Sequence, residues 1–390
     1  VWSGGFVLSY KFPIYPNKEQ REKLDFAFDM CRFTYNKLLE ELHKQDKIDR
    51  GEIQHKLLEL KVQNPDLEGV YSKTLQYECY RLFSNLSALT RLKKNGRKVG
   101  RLRFKGKEWF KTITYNQSGF RFERKTDKRG IIHLSKIGEI KVKTHRPVSG
   151  NIKQLTLKRS DGKWYIILQT DSNRTDLIHG YSEIGIDLGI ESYLTDNTGK
   201  KIDNPKTLEK YQSKLSIMQK NLSKKKKGSK NRQKARRQLA KMHQKIVNIR
   251  NDFIQKTTTD LVRNCRFIAV EKLNIKGMME EPYHNAKNIS DASWNRFLQT
   301  LRYKAGSAGC EVAEVDPRNT SKMCSNCGAI KEMPLYIREY RCNKCHINID
   351  RDHNSAINIL KKASVGPERA CAEGMKAYPM NQEASGFSPR

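Results

Sequence analysis

The sequence predicts a multi-domain chain of α/β class that also carries a β-barrel. Three observations predict it. Short β-like runs crowd residues 97–170, divided by Gly, Asp-Gly or Lys-rich turns, the pattern of a small barrel or curled sheet. Apolar runs that read as strands alternate with helical stretches between 183 and 315. Two C-x-x-C knuckles, Cys324/Cys327 and Cys342/Cys345, stand fourteen residues apart. That spacing is one short of the usual four-cysteine template, which a ribbon tolerates.

Taken in order, FVLSYKFPIY (6–15) is a strand by its aromatic and β-branched content. Asn17 with Gln20 makes a capping box, and a helix follows to about Lys44 with Leu24, Phe28, Cys31, Tyr35, Leu38 and Leu42 on one face. A second helix covers about 51–62 and ends before Pro65. A third runs from Ser72 to about Lys93 on a stripe of Leu75, Cys79, Leu82, Leu86 and Leu89. The strand candidates that come next are RKVGRLRFKG, KTITYNQSGFRF, GIIHLSKIGEIKVK, IKQLTLKRS and GKWYIILQT. Basic residues alternate there with aromatics, from Arg103, Phe104 and Lys105 through Trp109, Phe110 and Lys111 to Tyr115, Phe120, Arg121, Phe122 and Arg124. This interleaving suits phosphate contact with base stacking as well as it suits a barrel core.

Residues 183–202 read as three strands, with Asp187 closing the first. Residues 210–250 hold fifteen Lys/Arg and no Asp or Glu, on helical spacing either side of KKKKGSK. Two long helices and a turn are expected, facing an anionic partner. CRFIAVEKLNI (265–275) is a buried strand running into Glu271, 294–308 is a helix and 311–315 a strand. A last helix opens near Asp352, and 364–390 reads as a loose tail.

The net charge is +34 and the pI near 9.8. Such an excess excludes an ordinary enzyme of small metabolites and fits a polyanion, most simply nucleic acid bound by counterion release. No apolar stretch approaches the ~20 residues of a spanning helix, and no signal peptide opens the chain. Cys31, Cys79, Cys265, Cys310 and Cys371 read as plain thiols in a reducing compartment. The paired knuckles fit one structural Zn²⁺. Four thiolates around it leave a net charge of −2, which Lys322, Arg338, Arg341 and Lys344 are expected to offset.

Three acids stand out by position: Asp187 and Glu271 at strand ends, and Asp352 at the start of the last helix. Converging, they would hold two Mg²⁺ ions ~4 Å apart on a phosphodiester. Asp350 is a rival for the third place.

GIDLG (185–189), VEKLNI (270–275), TSKMCSNCG (320–328), CNKC (342–345) and DHNSAINI (352–359), with the opening YKFPIYPNKEQREKL (10–24), resemble the TnpB proteins of bacterial and archaeal insertion sequences. The resemblance runs from about residue 9 to 362. It implies a wedge-like β-barrel with an inserted helical recognition unit, an RNase H-like (RuvC) nuclease domain and an inserted zinc ribbon. It places a wedge strand at 1–16, the recognition unit at 17–95 and the wedge barrel at 96–180. The nuclease follows at 181–319, with a basic helical hairpin at 207–262. The ribbon lies at 320–348, the last nuclease helix at 349–363 and the tail at 364–390.

The implied activity is RNA-guided cleavage of double-stranded DNA beside a short transposon-adjacent motif. The guide is an RNA from the transposon end, with one chain per RNA in a prokaryotic cytoplasm near the nucleoid. Asp187, Glu271 and Asp352 match the nuclease triad, with Mg²⁺ or Mn²⁺ as its metal, and the four Cys match the zinc ligands. Lys73, Thr74, Gln76 and Tyr77, with Tyr115, Asn116 and Gln117, match motif-reading positions. Ser355 departs from the family, which usually has Ala there. The alternatives are a non-catalytic RNA-guided binder or repressor, or a transposase. The sequence shows no separate helix-turn-helix for DNA ends.

Overall fold

The computed structural model describes residues 6–45, 48–160, 162–172, 182–280, 286–334 and 336–365. The expected tail therefore lies almost wholly outside the described residues, as does Cys371. The chain divides into two compact units between residues 173 and 174.

In the first unit, β1 (Phe6–Tyr15) leads into α1 (Lys18–Lys44), α2 (Arg50–Gln63) and α3 (Ser72–Lys94). Six strands follow: β2 (Thr112–Asn116), β3 (Phe120–Arg124), β4 (Gly130–Leu134), β5 (Gly138–Val142), β6 (Asn151–Ser160) and β7 (Lys163–Ser172). The Asn17 capping box forms as expected: Gln20 N donates to Asn17 Oδ1 at 2.8 Å, and Asn17 N to Gln20 Oε1 at 2.9 Å. The sheet is antiparallel throughout, in the order β2-β6-β7-β1-β5-β4-β3. Its end strands, β2 and β3, are joined by one turn, Gln117–Gly119. So short a link cannot span a flat seven-stranded sheet, and the sheet is curled. Helices and sheet share one apolar cluster, in which Leu24, Phe28, Leu38 and Leu75 pack with Ile113, Leu155 and Ile166.

The first expected strand of this region, 97–106, is absent. Asn36 on α1 takes both backbone groups of Lys105: its Nδ2 donates to Lys105 O at 3.1 Å, and Lys105 N donates to its Oδ1 at 2.8 Å. The segment's backbone is thereby partnered by a helix side chain rather than a neighbouring strand.

A carboxylate enters this core. Glu78 is fully buried; Arg81 Nη1 lies 3.0 Å from its Oε2, yet neither oxygen accepts a well-formed hydrogen bond. Burial pushes its pKa from 4.5 up to about 7, against the pull of Arg81. A raised carboxyl favours the folded state below 4.5, and that advantage is lost as pH rises through 7. Urea unfolding should therefore show this unit losing roughly 3 kcal/mol between pH 4.5 and 7. Glu78→Gln should flatten the slope; an unchanged slope in the variant would remove Glu78 as its source.

The second unit opens with β8 (Ser182–Leu188), β9 (Ser192–Asp196) and β10 (Lys201–Asp203). The basic hairpin is α4 (Thr207–Ser223) and α5 (Lys230–Asn264). Then come β11 (Cys265–Glu271), α6 (Ile275–Glu280), α7 (Ala286–Ala292), α8 (Trp294–Ala308) and β12 (Glu311–Val315). The knuckle region holds β13 (Glu339–Arg341) and β14 (Asn348–Asp350), followed by α9 (Arg351–Val365).

The sheet order is β10-β9-β8-β11-β12. Its first three strands are antiparallel, and β8, β11 and β12 are parallel. Alternation along β11 sends Ile268 and Val270 to a core with α5 and α8 (Ile254, Leu261, Phe297, Leu301). Phe267 and Ala269 face the other way, onto Ile359 and Ala363 of α9. At the base of the hairpin, Asp291 of α7 takes both arms: its Oδ2 accepts from Leu208 N at 2.8 Å, and its carboxylate pairs with Arg250.

Helix α9 crosses β8 at Gly185. A Cβ there would lie 2.2 Å from Ala356 O and 2.8 Å from both Leu360 Cβ and Leu360 N. Gly185→Ala should cost roughly 3 kcal/mol or more, since the obstacles are largely backbone. A thermal or urea midpoint within error of the parent would show that helix and strand are not pressed together there.

Candidate active site and metal centre

Strand register brings two acids level. Val270 lies opposite Ile186 in the parallel β8–β11 pair, so Glu271 and Asp187 stand side by side at the same strand ends. Both fall on the face covered by α9, because Ile186 and Val270 occupy the other. Asp352 lies in the first turn of α9. The three acids predicted from sequence therefore meet on one face.

Their electrostatics are those of crowded anions. Burial, then the charges of Glu271 and Asp352, push the Asp187 carboxyl well above its ordinary value; the Arg351 cation and a hydrogen bond from Ser355 oppose them. Burial raises Glu271 too, against the Thr320 hydroxyl and the Lys362 charge. Thr320 Oγ1 donates to Glu271 Oε1 at 2.5 Å. Asp350 is engaged elsewhere. Its Oδ1 accepts from the backbone N–H groups of Asp352 and His353, both at 3.1 Å, and its Oδ2 pairs with Lys201 at 2.7 Å. It caps α9, leaving Asp352 as the acid that faces the other two.

The four knuckle sulfurs form the second cluster. Their Sγ atoms all lie within 4.8 Å of one another, and among the described residues this is the one His/Cys/Asp/Glu group so tightly gathered. Cys324–Cys345 and Cys327–Cys342 are each 3.6 Å apart. Tetrahedral Zn²⁺ with Zn–S near 2.3 Å needs about 3.8 Å between sulfurs, so the donor set fits zinc. The expected basic neighbours are mostly elsewhere. Lys322 pairs with Glu332 and Arg341 with Glu339, each at 2.8 Å. Arg338 lies 2.7 Å from Glu191 and 3.7 Å from Asp352. Backbone donors serve the thiolates instead: the Ile347 N–H, with Asn326, holds Cys345 down at about 6, and Lys344 N donates to Cys342 Sγ at 3.4 Å.

The knuckles are stitched to α9. Ser325 N donates to Asn354 Oδ1, and Asn354 Nδ2 to Met323 O, both at 2.8 Å. Asn358 Nδ2 reaches Thr320 O at 2.9 Å and Met323 O at 2.7 Å. Thr320, Arg338 and Ser355 thus belong to the carboxylate site. From sequence, Thr320 and Ser355 stood inside the quoted motifs, and Arg338 was expected at the thiolates.

The seven expected nucleic-acid contacts divide. Lys73, Gln76, Tyr77 and Asn116 line an open cavity of about 200 Å³ in the first unit, joined by Tyr80. Thr74 and Tyr115 are buried. Thr74 follows the α3 stripe inward, and Tyr115 stacks on Tyr71 at 5.6 Å. Gln117 turns its amide to Ile152 O at 3.3 Å. Tyr80 shares the exposed face of α3 with Lys73 and Gln76, a signal present in the helical spacing.

Comparison with known proteins finds relatives along most of the chain. A family model described as "Probable transposase" (OrfB of IS605) matches residues 169–281. One described as "Cas12f1-like, TNB domain" matches 294–359. A third, described as "Helix-turn-helix domain", matches 7–47, where the structure has β1 and the single helix α1. The TnpB-like protein L770 of Acanthamoeba polyphaga mimivirus is 29% identical over 57% of this chain and 45% of its own length. A Streptomyces pristinaespiralis protein, provisionally named an RNA-guided DNA endonuclease, is 31% identical over 94% of this chain and 92% of its own. The chain belongs to the TnpB family.

Among solved structures, the cryo-EM structure of a Cas12f1–sgRNA–target DNA complex has a protein chain of similar fold. The TM-score is 0.58 at 16% identity, over 89% of this TnpB chain and 83% of that one. No helix of the described residues is long and apolar enough to cross a membrane.

Proposed function

We propose that this chain is the RNA-guided DNA endonuclease of an insertion sequence, cutting double-stranded DNA at Asp187, Glu271 and Asp352. The observation that carries the proposal is the meeting of these three acids on the α9 face of one sheet. The order β10-β9-β8-β11-β12, with antiparallel strands giving way to parallel ones, supports an RNase H-type (RuvC-like) nuclease domain. Burial and the neighbouring charges raise the Asp187 carboxyl, and bound cations would relieve the repulsion. Two divalent ions, Mg²⁺ or Mn²⁺, held by the three carboxylates would supply Lewis-acid stabilisation and an activated water. The residues do the rest. Thr320 fixes the Glu271 carboxylate, Ser355 holds Asp187, and Arg338 brings a cation to within 3.7 Å of Asp352. Hydrolysis leaves a 5′-phosphate and a 3′-hydroxyl.

The curled sheet acts as the wedge and α1–α3 as the recognition unit. The cavity of Lys73, Gln76, Tyr77, Tyr80 and Asn116 reads the short motif beside the target. Pairing with a guide RNA from the transposon end reads the target itself. The hairpin α4–α5, with no acid between 210 and 250, tracks the phosphates of the paired strands. One chain serves one RNA.

The test is to co-express the chain with its flanking element DNA and sequence the RNA that co-purifies. One dominant RNA ending at the element boundary is expected. Reprogramming its 3′ end should redirect cleavage of a plasmid. A mixture of cellular RNAs with no redirected cleavage would leave a general polyanion binder.

A further inference from the structure

The segment between α3 and β2, whose interleaved cations and aromatics stood out in the sequence, has no part in the function proposed above. Residues 97–111 carry seven cations against Glu108 alone. The segment is built, not slack. Asn36 clamps Lys105 from both sides, and Lys107 pairs with Asp29 at 2.8 Å. The N–H groups of Trp109 and Phe110 both donate to Gly106 O, at 3.0 and 3.1 Å. Phe110 anchors the turn: it is buried edge-on against Phe28 at 6.4 Å, under the Arg81 guanidinium at 5.1 Å.

The same turn holds Trp109 outward, 70% exposed, with Phe104 at 58%. Among the described residues the ring partner of Phe104 is the edge of His43, and none is found for Trp109. Arg97, Lys98, Arg101, Arg103 and Lys111 are exposed and make no ion pair among the described residues. A fixed loop that presents two aromatic faces among unpaired cations has the chemistry of a stacking platform.

We propose that Trp109 and Phe104 stack on unpaired nucleotides of an RNA, with Arg101, Arg103 and Lys111 on its phosphates. Duplex DNA hides its base faces until its strands part. RNA loops and ends offer them at once, and bonds within its own unit hold this loop. The inference rests on the nucleic-acid reading above but assigns a site that reading does not use.

Tryptophan fluorescence isolates the site. Of four tryptophans, Trp164 and Trp294 are buried and Trp2 lies outside the described residues, so Trp2→Phe is the background. Titrating that full-length protein with oligouridylate should quench its emission saturably. A blunt RNA duplex should bind with far less quenching. Adding Trp109→Ala, at an exposed position where truncation leaves the core untouched, should abolish the quench and weaken oligouridylate binding about 5–100-fold by anisotropy. If oligouridylate binds in a salt-dependent way without quenching, and Trp109→Ala binds alike, the platform is wrong and the parent reading stands. If oligothymidylate quenches as well or better, the assignment to RNA is wrong. If no nucleic acid binds at all, both fall.

Discussion

Asp187→Ala should leave RNA and target binding within about twofold of the parent and lower cleavage by about 10³-fold or more. Loss of a single preorganised electrostatic group at a reacting centre costs about 10²–10³, and Asp187 is the acid on which the other two press. Binding should survive because Asp187 sits near the end of the central strand β8, under α9, and not on the basic hairpin or among the residues of the α3 cavity. Folding should survive as well. Removing a carboxylate that burial and two like charges oppose leaves the metal-free protein as stable or more so, and a thermal melt would show it. Asp350→Ala is the control. It should lose about 1 kcal/mol of helix capping while retaining most cleavage. Plasmid nicking in Mg²⁺ decides the matter: if Asp187→Ala cuts within tenfold of the parent, the three acids are not the reacting centre.

Cys342→Ser should reduce bound zinc from one per chain to about none and abolish cleavage while the first unit stays folded. Structural Zn²⁺ sites in isolated fingers contribute about 10–16 kcal/mol, far more than the small core of Tyr340, Met333 and the cysteines themselves can replace. The loss would not stop at the knuckles. Asn354 and Asn358 hold α9 by bonds to Met323, Thr320 and Ser325, and Thr320 also steadies Glu271. With zinc bound to the knuckles, two of the three acids would thus take their position from it. Hydrogen exchange should rise across 320–358 and remain unchanged in α1–α3. A protein that purifies without zinc, or a Cys342→Ser variant that cuts normally, would refute the assignment.

The acids were legible because Asp187 and Glu271 each close a run of apolar, β-branched residues, where a charge has no packing reason to be. The cysteines were legible from spacing alone. What sequence concealed was phase and partnership. Thr74 stands next to Leu75 on α3 and turns inward with it. In β2, Tyr115 stands two residues after Ile113 and shares its buried face, a signal that alternation carried and the match to motif-reading positions overrode. The segment 97–106 looks like a strand until Asn36, more than sixty residues earlier, takes its backbone. Arg338 looks like a counter-ion for thiolates by proximity in the chain, yet it is engaged by Glu191 and Asp352.

The basic hairpin behaves mechanically as a cantilever. Its longer helix, α5, begins at Lys230, yet its first buried residue is Ile246. At 1.5 Å per residue, about 24 Å of rod extends beyond its support. A rocking of about 10° at the base moves the tip by about 4 Å, comparable to the ~3.4 Å axial rise per nucleotide of a DNA strand. The fulcrum is Asp291, which pins the start of α4 and Arg250 together. That carboxylate acts beside the buried Ile246 and Ile254 of α5 in holding the arm. Softening it would let the tip wander along a bound strand without altering any of the charges that hold it.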